Sequence, residues 1–233
     1  MYYGNDEKPL IMQPENDYGD WFTSLSNENT PENFYNIKEV QAETVLDKVC
    51  SWSDEYKSVE TLFFRSLGDN SQYRIVMIER IKNILLKDLY ESYKKNIEKR
   101  YNNRNVEVRP VWHGTDENSV EEICRDHFNR SYQGRNGNRF GMGTYFARHV
   151  SYALNDRLSR RGSNNYKKLI MCRIVQGSSC LGEPHLKSPL INPMSFPLSR
   201  YETVVDNLEN PEIYVVFNDF GALPEYVLTI AAQ

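Results

Sequence analysis

The chain has 233 residues, 39% hydrophobic and 26% charged, which is ordinary for a soluble globular protein and long enough to bury a core. A formal charge of −4 and a pI of about 5.7 disfavour bulk attraction to nucleic acid. No apolar run approaches a membrane span, and the N-terminus MYYGNDEKPL lacks the basic and apolar parts of a secretory signal.

Residues 1–33 are rich in Asn, Asp, Glu, Pro and Tyr and show no periodicity. They read as an extension outside a folded domain at 34–233, with Trp21 and Phe22 available to pin it. Val59, Leu62, Phe63 and Leu67 fit a short amphipathic helix starting near Ser53 or Asp54, broken by Gly68-Asp69-Asn70. Tyr73–Ile78 is rich in β-formers and reads as a strand. Ile81, Ile84, Leu85, Leu89, Tyr93 and Ile97 then repeat at helical spacing until the Asn-rich stretch Tyr101–Asn105.

After Arg109, short β-like runs alternate with glycine-containing loops. Expected strands are Pro110–Trp112, Gly143–Ala147, Leu169–Val175, Thr203–Val205, Ile213–Phe217 and Tyr226–Ile230. Helices are expected at Ser119–Arg125 and about Val150–Ser159. Few strands are separated by full crossover helices, so the fold class is α+β, with mostly antiparallel sheets and flanking helices. Cys50, Cys124, Cys172 and Cys180 form no C-x-x-C pair and have no histidine at zinc-finger spacing, so no metal is expected. Reduced buried thiols fit a cytoplasmic or nuclear setting.

Three segments stand out: Trp112-His113-Gly114-Thr115 at a strand end, Gly141-Met142-Gly143-Thr144-Tyr145-Phe146-Ala147 where a glycine loop feeds a strand, and Ile213–Phe217 followed by Pro224-Glu225-Tyr226. Each alone is weak. A lone histidine beside glycine is more often structural, and a G-x-G before a strand is usually a tight turn. A dinucleotide-binding fingerprint fails on context, because its glycines open a helix.

Together, in this order, the segments resemble the catalytic domain of the poly(ADP-ribose) polymerase superfamily, the diphtheria-toxin-like ADP-ribosyltransferases. The likeness runs from about Glu55 to the C-terminus and is nearest to the mono-ADP-ribosylating branch. It also takes in Glu79-Arg80-Ile81, Phe128-Asn129-Arg130-Ser131 and Val204–Asn207. The resemblance implies the ADP-ribosyltransferase fold, two mostly antiparallel sheets packed together with flanking helices. It implies NAD⁺ as co-substrate, no metal, a protein acceptor and a monomer. A nucleic-acid end is a second acceptor class that the net charge does not favour.

The resemblance also implies roles. His113 bonds a hydroxyl of the adenosine ribose, the Gly114 backbone pairs with the nicotinamide carboxamide, and Tyr145 stacks on the nicotinamide ring. Asn129–Phe140 matches the flap over NAD⁺, where Tyr132 stacks; Arg130 and Arg135 either meet the pyrophosphate or stay solvated. Thr115, Phe146 and Ala147 complete the NAD⁺-binding set. The other histidines, His127, His149 and His185, read as surface or satisfied residues.

The chain departs from the family at three places. Ile213 occupies the position of the glutamate that polymer-forming members use for elongation, which implies transfer of single units; Glu212 is its neighbour. Ala153 stands where a serine usually holds the carboxamide. Asp156 and Leu158 are the candidates for a second ring-sandwiching tyrosine. Losing one hydrogen bond and one stacking face costs about 1–3 kcal/mol, roughly 10- to 100-fold in affinity. Three readings follow: an active mono-ADP-ribosyltransferase, a weak or silent module of the same fold serving as an interaction scaffold, and, third, a polymerase, which would need Glu212 in the Ile213 position.

Overall fold

Ser53 starts the first helix. Its hydroxyl accepts from the backbone N–H of Tyr56, capping a free donor of α1 (Asp54–Leu67). Gly68 ends α1 at φ 71, where its N–H reaches the Phe64 carbonyl. The computed structural model describes residues 45–68, 72–128 and 138–232. The extension read at 1–33, Trp21, Phe22, Arg130, Tyr132 and Arg135 all lie outside the described residues.

A short strand, β1 (Val45–Lys48), precedes α1, and β2 (Tyr73–Lys82) follows it. The next helix, α2, spans Ile84–Arg100. Asn83 caps it by accepting from Leu86 N, and its amide also donates to the carbonyls of Cys124 and Arg125 at 3.1 Å each. The sequence expectation put Ile81 on this helix and Ile84 and Leu85 on its apolar face. Ile81 instead stays in β2, opposite Leu46, and Ile84 and Leu85 are 77% and 55% exposed. The buried set is Leu86, Tyr90 and Ile97, with Tyr93 packed beside them. The period is unchanged and its phase is shifted, because helix and strand patterns overlap across the cap.

The remaining strands are β3 (Glu107–Thr115), β4 (Thr144–Ala147), β5 (Lys167–Val175), β6 (Ser179–Leu181), β7 (Ile191–Asn192), β8 (Ser199–Arg200), β9 (Thr203–Val205), β10 (Ile213–Val216) and β11 (Ala222–Ala232). Two more helices are α3 (Glu117–Asp126) and the single turn α4 (Val150–Ala153). Every strand expected from sequence is present. The short β1, β6, β7 and β8 carry too few residues to show an alternation. Helix α4 stops at Ala153, where the sequence suggested Ser159.

Nine strands form one hydrogen-bonded sheet in the order β1-β2-β11-β5-β3-β4-β10-β9-β6, with β7 and β8 as a separate pair. All ladders are antiparallel except β6 with β9. Five strands and four strands meet at β3–β4 through a single residue pair, Trp112↔Ala147. Side chains from both halves share both main hydrophobic clusters, so the halves pack together across this narrow link. Pro110 fits within β3 because the register shifts between Val108 and Val111. Glu55 ties α1 to the sheet by accepting from Arg80 and, at 2.9 Å, from the Tyr226 hydroxyl. Burial opposes its charge, but those donors hold its pKa below the usual value.

Asn83 joins the start of α2 to the end of α3, and it is 9% exposed. Asn83→Ala removes a cap and two side-chain hydrogen bonds at once. Its unfolding free energy, read from urea titration, should fall by about 1–3 kcal/mol. A fall of less than about 0.5 kcal/mol, the size of a neutral surface change, would show that the helix ends hold without it.

Candidate active site

The glycine loop precedes β4 and is held from two sides. Gly141 has φ +117, and a Cβ there would stand 2.9 Å from the Phe217 ring and 3.1 Å from the Leu186 carbonyl. The conformation and the space both demand glycine. Met142 N donates to Leu186 O at 2.7 Å. The Tyr145 hydroxyl then closes the loop, donating to Gly141 O at 2.8 Å and accepting from Phe140 N at 2.9 Å. Burial raises the Tyr145 pKa, so the phenol keeps its proton.

His113 and Tyr145 are directly linked. His113 Nδ1 lies 2.9 Å from the backbone oxygen of Tyr145. A carbonyl only accepts, so Nδ1 carries the hydrogen. The His113 ring is wedged against Phe128 at 5.0 Å and Phe146 at 5.6 Å between centroids. Burial pushes its pKa below 6.5, against a smaller opposite effect of the Tyr145 bond. The ring is therefore neutral at pH 7, and Nε2 offers a lone pair to a hydroxyl donor.

Beyond Trp112↔Ala147, β3 parts from β4 and keeps only its β5 partners, among them Gly114↔Leu169 and Thr115↔Lys168. From His113 onward the other edge of β3 has no strand partner among the described residues. Gly114 stands at that opening. A Cβ on it would come 2.1 Å from the Ala153 carbonyl and 3.2 Å from Leu158 Cβ. The structure thus brings Ala153 and Leu158 to Gly114.

Val215 pairs with Tyr145 and Ile213 with Ala147. These four side chains share one sheet face, and Ile213 is 3% exposed within the same hydrophobic cluster as Ala147 and Ala153. Glu212 points to the opposite face. Its carboxylate lies 3.1 Å from His149 Nε2, and its carbonyl accepts from Arg148 N. Asp206 Oδ1 accepts from both Glu212 N and Ile213 N at 3.0 Å, which fixes the start of β10. Ile213, and not Glu212, therefore faces the Tyr145 side.

Not every residue of the sequence-derived set reaches the opening. Phe146 is 1% exposed and supports the His113 ring from within the core. Ala147 is buried at the β3–β4 link, and Thr115 is buried at the end of β3, beside the Asp116 cap of α3. His127 corrects the reading of it as surface or satisfied. It is 6% exposed at φ 81, and neither ring nitrogen has a well-formed hydrogen bond. Burial holds its pKa low, with Asp219 and the Ala222 backbone acting weakly the other way. Cys50 is exposed, while the other three thiols are buried; all four are free. Asp206 and Phe128 lie in segments that carry the resemblance, but their roles in fixing β10 and wedging His113 were not visible in the sequence, because both depend on contacts with distant segments.

The sheet thus opens beside a half-buried His–Tyr pair, with a glycine at the gap. The family model that matches residues 53–189 is the poly(ADP-ribose) polymerase catalytic domain, and the chain belongs to that family. It is 35% identical over 178 residues to protein mono-ADP-ribosyltransferase PARP10 of Mus musculus, covering 76% of this chain and 18% of that protein. It is 37% identical over 175 residues to protein mono-ADP-ribosyltransferase PARP14 of Homo sapiens, covering 75% and 10%. Protein mono-ADP-ribosyltransferase PARP12 of Mus musculus is 31% identical over 182 residues, covering 76% and 24%. The chain thus spans no more than about a quarter of these relatives.

The lowered His113 pKa gives a pH prediction. Folded His113 takes up its proton at lower pH than unfolded His113, so its contribution to stability is complete above 6.5 and fades as pH falls below that value. Nε2 stays an acceptor through the same window. The KM for NAD⁺ should be flat between about pH 8 and 6.5 and rise only below. A rise centred near 6.5 would show an ordinary, solvated imidazole.

Proposed function

We propose that this domain transfers single ADP-ribose units from NAD⁺ to a protein side chain and releases nicotinamide. The observation that carries the reading is the neutral, wedged His113 joined to Tyr145 beside the open Gly114 edge. That the relatives it resembles are named mono-ADP-ribosyltransferases supports it.

The residues present fit NAD⁺. Nε2 of His113 accepts from a hydroxyl of the adenosine ribose. The free backbone edge at Gly114 offers an N–H and a C=O to the carboxamide, with no side chain in the way. The Tyr145 ring, fixed at its hydroxyl, gives the nicotinamide a face. Leu158 supplies an aliphatic wall in place of the missing aromatic one. Nicotinamide leaves as a neutral ring, taking the electron pair of the C–N glycosidic bond and quenching its positive charge. No acid is needed to protonate it. The acceptor's lone pair forms the new bond at the anomeric carbon, through an oxocarbenium-like state. The protein orients and desolvates, and geometry supplies the rate.

Buried Ile213 limits the product. It offers no acceptor atom to polarise a ribose hydroxyl, and Glu212 is turned away toward His149. Incubation with labelled NAD⁺ should label protein with single units, and His113→Ala should lose most of the signal. Long polymer from the wild type, or no label at all, would sink the reading.

Ala153 and Leu158 favour a second reading, a silent module that acts as a scaffold. Calorimetry with NAD⁺ separates the two, since a silent module binds none at millimolar ligand. Leu158→Tyr sharpens the test. A restored aromatic face is worth about 0.5–1.5 kcal/mol, so the NAD⁺ Kd should drop roughly 2- to 12-fold. An unchanged Kd would place the ring away from Leu158.

A further inference from the structure

Lys167 opens β5 and is 1% exposed. A buried ammonium is tolerated only when paired and hydrogen-bonded. It donates to the Leu154 carbonyl and lies 2.8 Å from Asp156 Oδ1, with the Tyr73 ring centroid 5.5 Å away. The two oxygens flank Asn155, so one cation pins both sides of a turn.

That turn is where α4 ends early. In a continued helix, the Leu154 carbonyl would accept from Leu158 N. Lys167 holds that carbonyl instead, and Leu158 N bonds Asn155 O at 2.9 Å. The chain leaves the helix and presents Leu158 beside Gly114. Lys167 and Leu169 share a face of β5, and Leu169 is the β5 partner of Gly114. The clamp therefore sits under the wall of the opening. Ala153, whose carbonyl presses on Gly114, immediately precedes the clamped Leu154.

We propose that Lys167 and Asp156 are positioning residues for the nicotinamide subsite: the buried ammonium ties Leu154 to Asp156 and so sets Ala153 and Leu158 against Gly114. The inference rests on the reading that nicotinamide lies at Gly114. It gives Asp156 a role even though it supplies no ring face. Its carboxylate is 82% exposed, so its removal opens no cavity and leaves Lys167 the Leu154 carbonyl alone.

Three probes separate this role from a general structural one. Benzamide mimics nicotinamide and fills only the ring subsite. ADP-ribose lacks nicotinamide and fills only the rest. NAD⁺ fills both. In Asp156→Ala, benzamide and NAD⁺ affinity should each fall about threefold or more, the scale of a partly exposed ion pair, while ADP-ribose affinity holds. Lys167→Met keeps length without charge and should behave alike. The double variant should lose little more than either single change, because the pair acts as a unit. Equal benzamide affinity in wild type and Asp156→Ala overturns the proposal, and so does an equal loss of benzamide and ADP-ribose. A wild type that binds none of the three overturns the proposed function and this inference with it.

Discussion

The site depends on one hydrogen bond that replaces a sheet ladder. After Trp112↔Ala147 the strands β3 and β4 separate, and an opening inside a sheet normally strands backbone groups without partners. The His113 side chain bridges the gap instead, giving its Nδ1 hydrogen to the Tyr145 carbonyl. That contact, with the Trp112↔Ala147 pair and the shared hydrophobic clusters, ties the two halves of the sheet across the split and leaves the Gly114 edge available. It also fixes the tautomer, so the imidazole faces the gap as an acceptor. Support by Phe128 and Phe146 keeps water from the ring and the ring from turning. The same arrangement thus holds the opening apart, orients its polar group and sets that group's charge.

Much of this was legible in the sequence, for a physical reason. His113, Gly114 and Tyr145 sit in short segments whose glycines are required by space or by backbone angle. Such requirements tie residue type to position, yet each segment alone is weak, and it was their order, matched to a known family, that made them readable. The central strands β5, β10 and β11 were legible for a different reason: largely buried on both faces, they are nearly continuous apolar runs. What stayed hidden depends on contacts between distant parts of the chain. Asp206 fixes the start of β10 across seven residues. Asn83 joins helices about forty residues apart. The face that α2 buries was set by neighbours, and Ile84 and Leu85 gave the right period with the wrong phase. Residues 129–137, with Arg130 and Tyr132, fall outside the described residues.

The early end of α4 shows how a local pattern yields to a distant charge. Val150 to Ser159 contains no helix breaker, and local propensity alone would continue the turn. The competing term is the Lys167 ammonium, thirteen residues from Leu154 and buried beneath it. A buried cation must find oxygens, and a helix C-terminus offers carbonyls with favourable polarity. Taking Leu154 O costs the helix one hydrogen bond. It satisfies a charge whose isolation would cost several times more.

The alternation of β10 decides what kind of chemistry the opening permits. Glu212 lies just before β10 and turns its carboxylate to His149, so it does not serve the Tyr145 face. The ladder with β4 puts Ile213 there, and Asp206 holds the two backbone N–H groups so that a one-residue slip would break both bonds. His149 engages Glu212 on the other side, which makes the slip costlier still. An aliphatic side chain at this point leaves the acceptor's own nucleophile to attack without a polarising partner. Side chains that are already nucleophilic meet that demand and ribose hydroxyls do not. On the proposed function, the limit to single units follows from which side chain β10 turns toward Tyr145 as much as from the identity of one residue.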